Sequence, residues 1–247
     1  MRLNGIAESA ERWRIHLSKK WIGADKPISS DVWRPRCEIM IHHSRTSYLA
    51  EVGRAGSQTF GSSFIRFSDN GMVSERRIDL LVDEDGILSA LPHELTHVVL
   101  ADRFGGKRPA PWADEGMATL ADTESKLALH HRDCCRALDS GTSFRVHDLL
   151  NLRQLTRPEQ MATFYGQSVS LSRFLIAKGD PQKLSHFVER ALHVGYNRAL
   201  LECYGIKGVH ALEQQWLTYL KVRRQPIAQV APASEFQINY LAVTPNP

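Results

Sequence analysis

Apolar residues recur at spacings of three and four near the start of the chain, at Ile6, Ala10, Trp13, Leu17 and Trp21, which predicts an amphipathic helix. The period then shortens. "CEIMIHH" (37–43), "SSFIRFS" (62–68) and "RRIDLLVD" (76–83) read as strands, and the Asn70-Gly71 pair between the last two is a turn signal. From about Asp85 onward the pattern is helical almost throughout, with stops at "FGG" (104–106), "DSG" (139–141), "KGD" (178–180) and "YGIKG" (204–208). In "KGDPQKL" Gly179 closes one helix, Asp180 caps the next and Pro181 occupies its first turn. Strands early and helices late predict an α+β fold, with a small N-terminal mixed or antiparallel sheet packed on a mainly helical C-terminal part. No internal repeat is visible. The expected organisation is an N-terminal helix (1–29) packing on a domain of residues 30–224, followed by a Pro-, Ala-, Gln- and Asn-rich tail (225–247) that drapes on the surface or is loose.

Composition narrows the function classes. At 247 residues, 43% hydrophobic and 23% charged, the chain can bury a substantial core. Its 31 basic and 27 acidic residues are scattered, apart from "KVRRQ" near the end, and a net charge of +4 is too weak to argue for nucleic acid. No apolar run reaches the length of a membrane span, and the N-terminus is polar where a signal peptide needs an apolar stretch. The expectation is a soluble protein, either cytoplasmic or exported with its signal peptide absent from this chain. Cys37, Cys134, Cys135 and Cys203 form no C-x-x-C pair, which excludes zinc-ribbon and thioredoxin-type sites. They read as small buried side chains, with pairing open in an oxidising compartment.

The chemistry concentrates in "LPHELTHVVL" (91–100). On a helix His93 and His97 lie about 40° apart around the axis and roughly 6 Å apart along it, so both imidazoles can reach one ion. Glu94 projects beside them. This is the H-E-x-x-H arrangement, in which two neutral imidazoles hold a zinc ion and the carboxylate takes a proton from its water. Leu88, Leu91, Leu95, Val98 and Val99 cluster on the other side of the helix, so the histidines avoid the main apolar stripe; Leu100 shares their side and implies a covered face. Pro92 should start or kink the helix. A metzincin-type third ligand would need Gly and His at positions 100 and 103, where the chain has Leu100 and Arg103. The next candidate is Glu115 in "PWADEGMATLAD", with Asp102 and Asp114 as lesser rivals.

With H-E-x-x-H followed by W-x-x-E-G-x-A, the chain resembles the gluzincin clan of zinc metallopeptidases, in particular the aminopeptidase-like branch and related peptidase MA-like domains. The resemblance covers about residues 30 to 222, and only the zinc motifs in it are specific. It implies a zincin-like (thermolysin-like) fold over residues 30–224, one zinc ion per chain, His93, His97 and Glu115 as ligands, and Glu94 as the catalytic base. "TFYGQSVSLSRFLIAKG" is similar to the segment in which a tyrosine donates its hydroxyl to the oxyanion. That residue would be Tyr165, which reads equally as a core aromatic at helical spacing. The chain departs from the family at "GMVSE" (71–75), where aminopeptidases carry a Gly-x-Met-Glu-Asn loop, so Glu75 is no match for the amine-binding glutamate and exopeptidase activity is not implied. "SSFIRFS" or "RRIDLLV" could instead form an edge on which an extended peptide pairs. The expected activity is zinc-dependent hydrolysis of a peptide or protein substrate. The alternatives are a catalytically silent binding or scaffolding domain of the same fold and hydrolysis of something other than a peptide. The adjacent pairs His42-His43 and His130-His131 read as surface histidines, and Asp122 or Thr119 as orienting a ligand histidine from behind.

Overall fold

The computed structural model describes residues 3–23, 33–84 and 88–223. The expected tail, 225–247, lies outside them. The fold is α+β and mostly helical, with one three-stranded mixed sheet. Among the described residues it divides into two compact units, the first holding those up to 109 together with 114–129, the second 110–113 together with 130–223. The segment 30–224, expected as one domain, thus contributes to both.

The first unit is built on α1 (Leu3–Trp21), β1 (Cys37–His42), α2 (Arg45–Val52), β2 (Gly61–Phe67), β3 (Val73–Leu81) and α3 (Leu91–Phe104). α1 lies against α3 and buries four of the five stripe residues, Ile6, Ala10, Leu17 and Trp21, with Trp13 half-buried. β3 is central: β1 pairs with it in parallel and β2 antiparallel. Its run from Ile78 to Leu81 is buried at every position, as suits a strand covered on both faces. This corrects one expectation. The strand of "RRIDLLV" cannot receive a further chain, and the edges among the described residues are β1 and β2. β2 joins β3 through the expected turn, where Gly71 adopts φ +78° and Asn70 Oδ1 accepts from the Met72 N–H (3.1 Å). The "FGG" stop of α3 docks there, with the Gly106 N–H donating to Gly71 O (3.0 Å), and a Cβ at Gly105 would sit 3.1 Å from that same oxygen.

α4 (Pro111–Thr119) and α5 (Glu124–Asp139) contribute to both units. The second unit adds α6 (Val146–Asn151), α7 (Met161–Ala177), α8 (Pro181–Val194), α9 (Tyr196–Tyr204) and α10 (Val209–Arg223). Asp180 caps α8 as its sequence predicts, its carboxylate accepting from the Lys183 N–H (2.7 Å). Leu171, Leu175, Phe187, Leu200, Leu212 and Trp216 form the core, and the Trp216 indole donates to Ser170 Oγ (3.1 Å). The four cysteines are thiols. No helix among the described residues is long and apolar enough to cross a membrane.

The histidine pairs also correct the sequence reading, because one member of each is buried. His42, 7% exposed, binds Asp79 Oδ1 through Nε2 (2.9 Å) and stands 3.2 Å from Ser47 Oγ at Nδ1. His130 is buried against Tyr165, while His43 alone is fully on the surface. The patterned signal for a histidine pair is ambiguous, since adjacent residues on a strand or helix face different ways and only one need turn outward.

Candidate metal centre

Pro92 sits in the first turn of α3, where its missing N–H costs nothing, so it starts the helix rather than kinking it. Beyond it nearly every side chain of the helix is buried, because α1 covers one side while β2 and β3 cover another. His93 and Glu94 are therefore 8% and 7% exposed, despite a polar character that would otherwise keep them in water.

Three electron-rich atoms converge. His93 Nε2 is 3.2 Å from His97 Nε2 and 3.5 Å from Glu115 Oε2, and His97 Nε2 is 3.9 Å from the same oxygen. Glu115 reaches them from α4, so the third member comes from a different helix than the two histidines. On the outer side each imidazole faces a carboxylate. Asp122 Oδ1 stands 3.3 Å from His93 Nδ1, and Asp114 Oδ1 stands 3.0 Å from His97 Nδ1. At His97 the Asp114 carboxylate accepts from Nδ1–H and leaves Nε2 as a lone pair, while Asp122 stands at ion-pair distance from His93 Nδ1, outside hydrogen-bond geometry. Two ring nitrogens and a carboxylate oxygen repel at these distances unless a cation lies between them.

The donor set fits a metal ion. Two imidazole nitrogens and a carboxylate oxygen, all within 4.8 Å of one another, are a donor set that suits a divalent metal ion. Protons are the other cation that can serve. Burial pulls the His93 pKa down, but polar contact with Asp122 and Glu115 and the charges of Asp122 and Glu94 outweigh it and raise the value to about 10. Burial is likewise outweighed at His97, where Asp114 and Glu115 raise it to about 9. At Asp122 burial pushes upward, yet His93 and Lys126, whose ammonium is 3.0 Å away, leave its pKa below the ordinary aspartate value.

Glu94 is not one of the three converging donors. It lies against the first residue of β2: a Cβ on Gly61 would stand 2.6 Å from Glu94 Cγ and 2.7 Å from its Oε1. Only a glycine leaves that space to the carboxylate. The rival Asp102 is engaged elsewhere, in an ion pair with Arg76. Asp114, the second rival, braces His97. Thr119 is fully buried, and its hydroxyl makes no hydrogen bond to either imidazole. Tyr165 belongs to the second unit, where its ring stacks on His130 (centroids 5.8 Å apart) and meets Phe164 edge-on.

Beside the donor set a cleft of about 390 Å³ runs along β2, walled by Phe64, Phe67 and Leu100 and floored by His97 and Glu115. The Leu81 N–H donates to Phe60 O (2.8 Å), so with the period of two the backbone groups of Ser62 and Phe64 face β3, and those of Gly61, Ser63 and Ile65 face outward. Sequence reasoning did not single out Gly61, the bracing role of Asp114, or Arg108 at the end of this cleft. A glycine opening a predicted strand and an Asp-Glu pair were the available signals. Comparison with family models, with curated proteins and with solved structures gave no match.

Proposed function

We propose that this chain is a zinc-dependent peptidase of the gluzincin type, with a zincin-like arrangement of its first unit. The observation that carries the reading is the convergence of His93, His97 and Glu115 on one point, each imidazole braced by a carboxylate, with Glu94 beside the set and outside it. Zinc held there, one ion per chain, would supply a Lewis acid for the scissile carbonyl and lower the pKa of the attacking water.

The chain's own groups do the rest. Glu94 accepts the proton of the attacking water and hands it to the leaving nitrogen, which a carboxylate fixed between α3 and Gly61 can do without rearranging. Asp114 keeps the His97 Nε2 lone pair aimed inward, and Asp122 stands behind His93. The outward backbone groups of Gly61 and Ser63 favour an extended peptide, which adds to the edge of β2 and lies along the cleft. Glu75 is held by Arg66 (3.2 Å), so no carboxylate is assigned to a substrate amine, and the proposal is of the endopeptidase kind.

Metal analysis of protein prepared without chelator is expected to give about one zinc per chain. Glu94→Gln is expected to keep that zinc and to lower cleavage of a peptide library by about 10² to 10⁴-fold, the range of a lost general base. If zinc is present and the two forms are equally inert, the silent binding-domain alternative replaces this reading.

A further inference from the structure

We propose that Arg108 makes this cleft a site for acidic peptides, its guanidinium receiving a carboxylate of the bound chain. The inference rests on the peptidase reading for what happens next, but the recognition itself needs only the cleft. From Gly61, against Glu94, to Ile65 is four residues of strand, about 13 Å at roughly 3.3 Å each. At the far end Arg108 donates to Ile65 O (3.3 Å) and lies over the ring of Phe67, 5.5 Å from its centroid. Among the described residues no carboxylate pairs with it. Arg108 is also the one Lys or Arg among the residues lining the cleft, whose other charged members are Asp114 and Glu115.

This placement does two things. A strand adding to β2 can use the outward groups of Gly61 and Ser63 but meets a cation at Ile65, where the row of acceptors is closed. The guanidinium then offers its remaining donors to whatever the incoming chain carries there. A carboxylate matches that planar fork with two parallel hydrogen bonds, while an ammonium is repelled. A cation at a strand end also discourages sheet-to-sheet association, which would need only charge; the Phe67 ring under this one and its position in the cleft favour a binding role. The carboxylate belongs to an Asp or Glu side chain within about four residues of the scissile bond, or to a chain end at the same reach.

The test is peptide binding to the Glu94→Gln chain, followed by fluorescence anisotropy so that turnover does not intervene. The probes are labelled alanine-rich decapeptides with Glu scanned through each position, their Gln counterparts, and both as C-terminal acids and amides. At the best position Glu is expected to bind about threefold tighter than Gln, the usual worth of an ion pair at an exposed arginine. Arg108→Gln should bring that ratio to about one, and Arg108→Lys should keep part of it, which separates lost charge from lost folding. Discrimination that follows the acid-to-amide change assigns the carboxylate to the chain end. A ratio near one with Arg108 intact, or a ratio that survives Arg108→Gln, overturns the proposal. Discrimination by Arg108 in a protein whose Glu94-bearing form cuts none of these peptides would leave this inference standing and remove the peptidase reading instead.

Discussion

The two units bury polar groups of different kinds. The first buries charge: Arg14, Arg76, Asp79, Glu94 and Asp122 are all under a tenth exposed, together with His42 and His93. In the second, among the described residues, no Asp, Glu, Lys or Arg is buried, and the polar interior consists of Gln167, Ser168, Ser170, Ser172, Ser185 and His130. Neutral hydroxyls and amides are cheap to bury once hydrogen-bonded, whereas an ion must be paired and oriented or its pKa moves. In the second unit Gln167 bonds both Phe144 N–H and Phe144 O, and Ser170 and Ser185 bond Trp216 and Pro181 O, so these polar contacts hold helices and a loop in place. Carrying the desolvation cost of several ions is a stability burden that a fold has reason to bear where chemistry needs them.

The sharpest way to break this contrast is to move a buried charge without touching it. Gly61→Ala is expected to push Glu94 out of place and lower turnover by about 10²-fold, because a displacement of about 1 Å at a reacting group costs that much. Zinc content measured on the same sample should not change; loss of both would mean that Gly61 supports the helix rather than the carboxylate. Asp122→Asn removes the brace of His93 and should weaken zinc binding by about 10 to 100-fold in a competition titration with a chelating dye. An unchanged affinity would reduce Asp122 to a packing role.

The third expectation concerns pH. His93 and His97 have folded-state values raised to about 10 and about 9, above an unfolded value near 6.5, so their contribution to stability is complete below about pH 6.5 and is lost as pH rises toward 10. The metal-stripped protein should therefore melt at progressively lower temperature across that window, while zinc, which competes with the same protons, should bind more tightly as pH rises. A flat melting profile would show that the three converging groups carry no shared proton. The smallest effect is expected in the second unit. Ser170→Ala leaves the buried Trp216 indole without its acceptor and should cost about 1 to 3 kcal/mol in urea unfolding, with zinc content and turnover unaltered.

Much of this was legible along the chain. Periodicity marked α1, all three strands and the helix stops, because those signals are local: the Asn70-Gly71 turn and the Asp180 cap form from a few consecutive residues. The H-E-x-x-H pair was legible for the same reason, since a helix alone brings His93 and His97 onto one side. Glu115 was reached only through a second motif and a resemblance, and the role of Asp114 was mistaken for that of a rival. Gly61 carried no mark at all, because what makes it necessary is a side chain 33 positions away.

By itself the amino-acid sequence determined the first helix, the three strands and the main helix stops, though not α2, and that two imidazoles and a carboxylate share one turn of helix. Tertiary structure alone decided which strand is an edge, that Asp114 braces an imidazole from behind, and which histidine of each pair is buried. The reason is range. Hydrogen bonds within a helix and apolar periodicity act over a few residues, whereas strand order and the meeting of α3 with α4 and β2 depend on packing between segments that the chain leaves tens of residues apart.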